Sequence, residues 1–83
     1  MWKKGTISIP DKRDKDHCIL CHYWVKVYPR RSKMYGINGG RISKLMIKRG
    51  GEIVCNYDRG WDIKPSDPDA QLAMEIILHG ENW

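Results

Sequence analysis

The chain has 83 residues, a formal net charge of +5, three cysteines and no phenylalanine. This length predicts one small domain with a thin core, spanning residues 1–83, and the odd number of cysteines excludes a framework in which every cysteine is paired. Because no segment resembles a signal peptide or is long and apolar enough to span a membrane, we expect a cytoplasmic protein with reduced thiols.

Two strands are predicted at the start of the chain. Residues 2–9 end in an alternating Thr-Ile-Ser-Ile pattern, which is typical of an edge strand, and Pro10 closes it. After a charged turn at 11–16, residues 17–28 form the longest strand. Its alternation places Tyr23, Val25 and Val27 on one face, and His22, Trp24, Lys26 and Tyr28 on the other.

Two more strands follow, joined by a Gly50-Gly51 turn that fits a tight hairpin. Residues 41–49 have apolar side chains on both faces, so this strand is expected to be central, and residues 52–58 form the returning strand. The predicted faces group Leu45 with Ile47, Ile42 with Met46 on the opposite side, and Ile53, Cys55 and Tyr57 on the core face of the returning strand.

One helix is predicted near the C-terminus. Asp67 fits the N-cap and Pro68 the first helical position, while His79 and Gly80 fit the last turn. Its apolar stripe comprises Ala70, Ala73, Met74, Ile76, Ile77 and Leu78. The order predicts an α+β fold, in which a four-stranded antiparallel sheet (β-β-β-β-α) carries one C-terminal helix packed on one face.

The other face of such a sheet is either wet or covered by a partner. Trp24, Tyr28 and Ile42 are predicted to form an apolar patch there, which favours a homodimer.

A Cys-x-x-Cys pair suggests a metal site. Cys18 and Cys21 have the spacing of a zinc knuckle that His17 or His22 could complete, and with His22 they match the haem-attachment pattern. On a strand, however, the two thiols point to opposite faces, and Cys55 offers no second pair. A redox pair would need a helix start. We therefore expect no metal and no cofactor.

No catalytic group of residues is predicted, so the protein is not expected to be an enzyme. Asp58 and Asp62 flank Arg59, and are expected to pair with Arg41 or Arg59 rather than to act as acid and base. The segment 57–62 is interpreted as a structural turn between sheet and helix, with Trp61 in the core.

The charge divides unevenly along the chain. Residues 1–50 carry a balance of +10 and residues 51–83 a balance of −5, which predicts an anionic partner or self-association. A solvated surface with uneven charge is the alternative.

The segment 35–45 is the strongest candidate for binding an anion, because a Gly-Gly pair can present backbone N–H groups beside fixed cations. It lacks the Rossmann and P-loop patterns. Trp24 and Tyr28 offer further flat surfaces for a base. The residues predicted to bind a phosphate-bearing ligand are Arg30, Arg31, Lys33, Tyr35, Gly39, Gly40, Arg41 and Lys44. An ordinary tight turn with solvated charges is the alternative.

Two motifs carry a family resemblance. The sequence YGINGGRISKL at 35–45 and YDRGWD at 57–62, with the helix that follows, resemble an uncharacterised family of small proteins from Gram-positive bacteria and their phages. The resemblance covers residues 34–79 with Trp2 and Gly5, and leaves out 11–22. It implies a phage or prophage setting, and no activity.

Together these features predict a non-enzymatic binding protein of phage origin that recognises a nucleotide signal or a nucleic acid. The alternative is a protein that inhibits a bacterial defence protein, such as a nuclease, through its exposed sheet face or an edge strand. Salt separates the two, because binding of phosphates by several cations weakens steeply as salt rises.

Overall fold

The computed structural model describes residues 2–11, 13–14 and 16–82. Its elements are β1 Trp2–Pro10, β2 Cys18–Val27, a 3-10 turn Ile37–Gly39, β3 Ile42–Arg49, β4 Glu52–Asp58, β5 Trp61–Ile63 and α1 Pro68–Glu81. No helix in this part of the chain is long and apolar enough to cross a bilayer.

The strands form one antiparallel sheet in the order β1-β2-β3-β4-β5. The predicted α+β fold, with an antiparallel sheet and one C-terminal helix, is confirmed, and β3 is central. The helix packs against β1, β3 and β4. We call the side that carries it, with Val25, Leu45 and Cys55, the helix-bearing face, and the opposite side the helix-free face.

The prediction of four strands was wrong, because a fifth strand follows β4 after a two-residue reversal. Arg59 has a φ of 57°, and the Asp58 N–H donates to the Gly60 carbonyl at 2.9 Å. Trp61 then pairs with Tyr57 across the new hairpin. A non-glycine residue rarely adopts a positive φ, so no local pattern signals a hairpin at Arg59.

A bulge in β3 turns Ile42 toward the core. Lys26 pairs with Lys44, but the next residue, Val27, pairs with Ile42, so that Ser43 is an extra residue in β3. Ile42 and Ser43 are both fully buried. The prediction that Ile42 lies opposite Leu45 was therefore wrong.

The bulge also removes the patch from which a homodimer was predicted. Ile42 lies on the helix-bearing face, and Tyr28 lies beyond the end of β2. Trp24 alone of the three remains within a strand on the helix-free face.

A second bulge changes the face of Ile53. Ile47 pairs with Cys55, whereas Lys48 pairs with Ile53, so that Val54 is the extra residue in β4. Val54 is buried, and Ile53 is 38% exposed. Cys55 lies in the core as predicted, but the assignment of Ile53 to the core face was wrong.

The core lies between the sheet and α1. Its buried side chains are Ile9, Cys21, Val25, Val27, Ile37, Ile42, Leu45, Ile47, Val54, Cys55, Tyr57, Ala70, Ala73 and Ile77. Met74 and Leu78 are partly buried against them, while Ile76 is 44% exposed and does not extend the helix stripe. The small side chains of Ala70 and Ala73 let the helix approach the sheet closely.

The N-terminus of α1 begins as predicted. Asp67 is the N-cap, and its Oδ1 accepts from the Ala70 N–H at 2.8 Å. Both Asp67 oxygens also accept from the guanidinium of Arg49, at 2.8 and 2.9 Å. These bonds hold the pKa of Asp67 at about 2, below the ordinary 3.8, with the Arg49 bond the larger cause.

The C-terminus of α1 extends past the predicted end. Gly80 is helical, and the helix runs to Glu81 with Asn82 as its cap. The Asn82 side chain then binds two parts of the chain far away in sequence. Its Nδ2 donates to the Ile37 carbonyl and its Oδ1 accepts from the Ile42 N–H, each at 2.8 Å. Asn82 thereby fixes the helix end to the loop before β3.

The Asp67 cap makes stability depend on pH. Because its pKa is lower in the folded chain, the ionised carboxylate stabilises the fold above pH ~4 and this stabilisation is lost as the pH falls toward about 2. Asp67 and Arg49 side chains are 38% and 27% exposed, so solvent screening limits the pair to about 1 kcal/mol. We expect the difference in unfolding free energy between wild type and Asp67→Asn to shrink by that amount between pH 5 and pH 2 (roughly the span of the titration).

Urea denaturation at several pH values measures this difference. Asp67→Asn keeps an oxygen for the Ala70 N–H, while Asp67→Ala removes the cap as well and should cost about 1 kcal/mol more at every pH. A pH-independent gap between wild type and Asp67→Asn would contradict the assignment.

Candidate ligand-binding face

The helix-free face is defined by strand register. Residues that pair across the sheet share a face, and those that alternate with the core residues form rows on this side, three of which extend from β1 to β4. The rows are Trp2, Lys26, Lys44 and Asp58; Lys4, Trp24, Met46, Asn56 and Ile63; and Thr6, His22, Lys48 and Ile53. Lysines and tryptophans therefore alternate over β1, β2 and β3.

Each tryptophan on this face lies beside a lysine. The Lys44 Nζ lies 6.0 Å from the centroid of the Trp2 ring, and the Lys48 Nζ lies 5.8 Å from that of Trp24. Such contacts contribute about 0.5–1 kcal/mol at an exposed site, so they orient the side chains more than they stabilise the fold. Trp2 is 58% exposed, so its indole ring remains largely open to solvent.

A shallow hollow opens beside the two rings. Its volume is about 230 Å³, and its walls include Trp2, Trp24, Lys44, Met46, Asn56 and Asp58. The acidic side lies toward β4 and β5. There the Asp58 Oδ1 lies 3.6 Å from the Lys44 Nζ, and the Asp62 Oδ2 accepts from the Asn56 side-chain amide at 2.9 Å.

The backbone of the glycine segment is hydrogen-bonded within its own loop. The Gly36, Gly39 and Gly40 N–H groups donate to the carbonyls of Ser32, Gly36 and Ile37, at 2.9, 3.0 and 2.9 Å. Asn38 and Gly39 adopt positive φ values of 52° and 73° to close the turn. Gly39 and Gly40 thus shape the loop with their amides directed inward, and charge for an anion must come from side chains.

The predicted cations of this loop lie at one end of the sheet. The loop joins Val27 to Ile42, so it adjoins the row of Trp2, Lys26 and Lys44. Its exposed cations are Arg30, Arg31 and Lys33, while Arg41 is partly buried. The Arg41 Nε donates to the Tyr28 carbonyl at 2.9 Å, and the Tyr28 N–H donates back to the Arg41 carbonyl at 2.8 Å.

Tyr35 contacts the 57–62 turn. The Arg59 Cζ is 5.5 Å from the Tyr35 ring centroid, and the Tyr35 carbonyl accepts from the Tyr57 hydroxyl at 3.0 Å. Trp61 meets Tyr57 edge to face at 5.1 Å and is partly buried against the core. These contacts connect the loop before β3 to the 57–62 turn.

A family model described as a domain of unknown function, DUF7678, matches residues 1–82. The chain belongs to the DUF7678 family. No curated protein and no solved structure gives a significant match. The predicted resemblance to an uncharacterised family is confirmed to that extent. The match also includes residues 11–22, which the predicted resemblance left out.

The cysteines of this DUF7678 chain face different surroundings. Cys18 is exposed, whereas Cys21 and Cys55 are buried, so the Cys-x-x-Cys pair points to opposite faces as strand alternation predicts. Burial raises the pKa of the Cys21 thiol, and raises that of Cys55 to about 11, which keeps both protonated at neutral pH. Residues 2–11, 13–14 and 16–82 contain no group of three metal-ligating side chains.

Several residues of the helix-free face of this DUF7678 chain were not predicted as site residues. They are Trp2, Lys4, Lys26, Met46, Lys48 and Asn56. The signal was present in the alternation of β2, which already grouped Trp24 with Lys26. Extending that alternation to β1 and β3 identifies the neighbouring lysines, but requires the pairing register.

Proposed function

We propose that this protein is a non-enzymatic binding protein that recognises a phosphate-bearing ligand, a nucleotide or a nucleic acid, on its helix-free face. One observation carries the proposal: the face has four lysines on β1, β2 and β3, at positions Lys4, Lys26, Lys44 and Lys48. Phosphate groups are recognised by such clusters of cations, which also release counterions from a nucleic acid.

The distribution of acids supports this assignment. On the helix-free face, the acidic side chains among the described residues are Asp58 and Asp62, and both lie at the β4–β5 side. The exposed Arg30, Arg31 and Lys33 lie in the loop between β2 and β3, which adjoins the row of Trp2, Lys26 and Lys44. The positive charge therefore forms a strip over β1 to β3 that continues onto the loop before β3.

The same surface supports binding rather than catalysis. The Thr6 hydroxyl lies 3.0 Å from His22 Nδ1, but both side chains are exposed, and no described contact orients the imidazole from its other side. Lysine, tryptophan and methionine side chains dominate the rest of the face, and they contact ligands without forming a nucleophile–base pair.

The setting that we propose is a phage or prophage of Gram-positive bacteria, with the protein acting in the host cytoplasm against a defence system. The two motifs at 35–45 and 57–62 support this setting. Sequestration of a nucleotide signal or occupation of a nucleic acid are the two routes by which a binding protein of this kind would act.

Removal of two face lysines should weaken binding without unfolding the chain. We expect Lys26→Ala/Lys44→Ala to lower the affinity for a labelled oligonucleotide about tenfold, and to flatten the slope of log K against log salt by about 1.4, since each phosphate contact contributes about 0.7. Fluorescence anisotropy at several salt concentrations measures both. Lys64→Ala, at an exposed site after β5, is the matched control and should change affinity less than twofold.

A variant of opposite sign sharpens the test. Asp58→Asn removes a negative charge 3.6 Å from the Lys44 ammonium, and we expect it to tighten binding. The proposal fails if the wild type binds neither an oligonucleotide nor a cyclic dinucleotide nor ATP at low salt, or if the double variant binds as tightly as Lys64→Ala.

A second function has its own supporting feature. β1 is a nine-residue strand at the edge of the sheet, and such an edge can receive a strand of another protein. A protein inhibitor of a bacterial defence protein would use this edge, and its complex would persist when salt is raised.

A further inference from the structure

We propose that the ligand is single-stranded nucleic acid, with bases stacked on Trp2 and Trp24 and phosphates along the neighbouring lysines. This inference rests on the proposed function and names its ligand class. It is carried by the spacing of the two rings, by the lysines beside them and by the shallowness of the surface.

The two tryptophans occupy diagonal positions on β1 and β2. Trp2 pairs with Lys26, and Trp24 pairs with Lys4. Diagonal neighbours on an antiparallel pair are about 7–8 Å apart, whereas consecutive stacked bases in a duplex rise by about 3.4 Å. A duplex therefore cannot place one base face on each ring, because its bases cover one another. A single strand with splayed bases can do so.

A flexible lysine lies over the face of each ring, and a base that stacks on that face would displace the ammonium to the ring margin, where the phosphate lies. The ammonium groups of Lys44 and Lys48 lie 6.0 and 5.8 Å from the two ring centroids. A base that stacks on an indole has its sugar and phosphate at the margin of the ring, within reach of a flexible lysine. Aromatic rings that stack bases, interleaved with cations that follow the backbone, are the usual composition of a single-strand binding surface.

The small volume of the hollows on this face argues against a small nucleotide as the main ligand. The two hollows that both rings line have volumes of about 230 and 310 Å³, at the lower limit for an enclosed site. Sites that enclose a compact ligand are typically about 300–1,000 Å³ and bury most of it. A shallow surface binds weakly to one nucleotide, and gains affinity when several nucleotides of one chain contact it in succession.

The charge distribution indicates how the single-stranded nucleic acid crosses the face. Asp58 and Asp62 lie at the β4–β5 side and repel a polyanion, whereas Lys4 and Lys26 lie on β1 and β2. The nucleic acid should therefore cross β1 to β3 and continue toward the loop that carries Arg30. Because this contact extends over more than one nucleotide, the binding experiment requires a probe of many nucleotides.

The test compares one protein with three probes: a labelled (dT)20 single strand, its duplex with (dA)20, and thymidine monophosphate. We expect the single strand to bind at least about tenfold more tightly than the duplex, and the monophosphate to bind too weakly to compete at equal nucleotide concentration. Tryptophan fluorescence should be quenched when the single strand binds.

Variants separate stacking from charge. Trp2→Ala and Trp24→Ala should each weaken (dT)20 binding about 5- to 150-fold with the salt slope unchanged, and Trp24→Phe should restore most of the loss. Leu20→Ala, an exposed apolar position near the far end of β2, is the matched control and should bind like wild type. Urea unfolding of each variant shows that the fold is retained.

The possible failures are distinguishable. If the duplex binds as tightly as the single strand, or if the tryptophan variants bind normally while Lys26→Ala/Lys44→Ala is weakened, the stacking inference is wrong and the proposed function stands. If none of the three probes binds at low salt, the stacking inference is wrong, and the nucleotide panel described above then decides the proposed function.

Discussion

Asn82→Ala is expected to lower the free energy of unfolding by about 2–4 kcal/mol. The Asn82 side chain donates to the Ile37 carbonyl and accepts from the Ile42 N–H, both at 2.8 Å and both in partly buried surroundings. Alanine leaves these two backbone groups without their partner, and each unpaired buried group costs about 1–3 kcal/mol. The loss is large for a residue one position beyond the end of a helix, where fraying usually makes side chains dispensable.

Urea denaturation followed by circular dichroism measures the loss. Asn56→Ala is the matched control, because the Asn56 amide donates to the Asp62 carboxylate at an exposed site, and its removal should cost less than about 1 kcal/mol. Asn82→Asp keeps the acceptor for Ile42 and loses the donor to Ile37, so it should also destabilise. If Asn82→Ala unfolds within about 0.5 kcal/mol of wild type, the helix end is not fixed to the loop.

The elements that local chemistry determines were predicted well. Pro10 marks the end of β1, Gly50-Gly51 forms the turn between β3 and β4, and Asp67-Pro68 begins the helix. Each of these positions has a residue type whose backbone geometry or capping ability acts within a few residues. The antiparallel order then follows, because strands that are consecutive in sequence pair with one another.

The two bulges explain why the core faces were predicted only in part. Alternation assumes an unbroken ladder, but Ser43 and Val54 each add one residue to a strand. One extra residue reverses the faces of the side chains before it relative to those after it, so Ile42 and Ile53, which precede Ser43 and Val54, lie on the faces opposite to those predicted. Both bulges lie at positions where a buried side chain is gained, and this depends on the packed sheet rather than on local sequence.

The glycine segment shows the limit of a motif for predicting a site. Its glycines and cations suggested an anion-binding site, but the Gly39 and Gly40 N–H groups donate hydrogen bonds to carbonyls of the same loop. The residue that organises this loop, Asn82, lies 40 and 45 residues from its two partners, so no local pattern identifies it. The lysine strip on the helix-free face was likewise hidden, because it needs three strands in register.

Gly36→Ala is expected to destabilise the fold by about 3 kcal/mol, whereas Gly80→Ala is expected to stabilise it by about 0.5–1 kcal/mol. A Cβ at Gly36 would overlap the Gly40 carbonyl oxygen and lie 2.7 Å from the Ser32 carbonyl oxygen. Both are backbone atoms that close the loop through the Ser32–Gly40 and Gly36–Ser32 hydrogen bonds, at 2.9 Å each, so neither can move without breaking the turn.

The cost at Gly36 is steric rather than conformational. Its φ of −77° is one that alanine adopts freely, so backbone strain contributes nothing. Gly80 is helical and a Cβ there meets no atom within 4 Å, so alanine only reduces the entropy of the unfolded chain. Urea midpoints of the two variants should therefore move in opposite directions from wild type. Equal midpoints for Gly36→Ala and wild type would mean that the loop is not closed by these hydrogen bonds. The position of Arg30, toward which the bound nucleic acid is proposed to run, would then not be fixed by the loop.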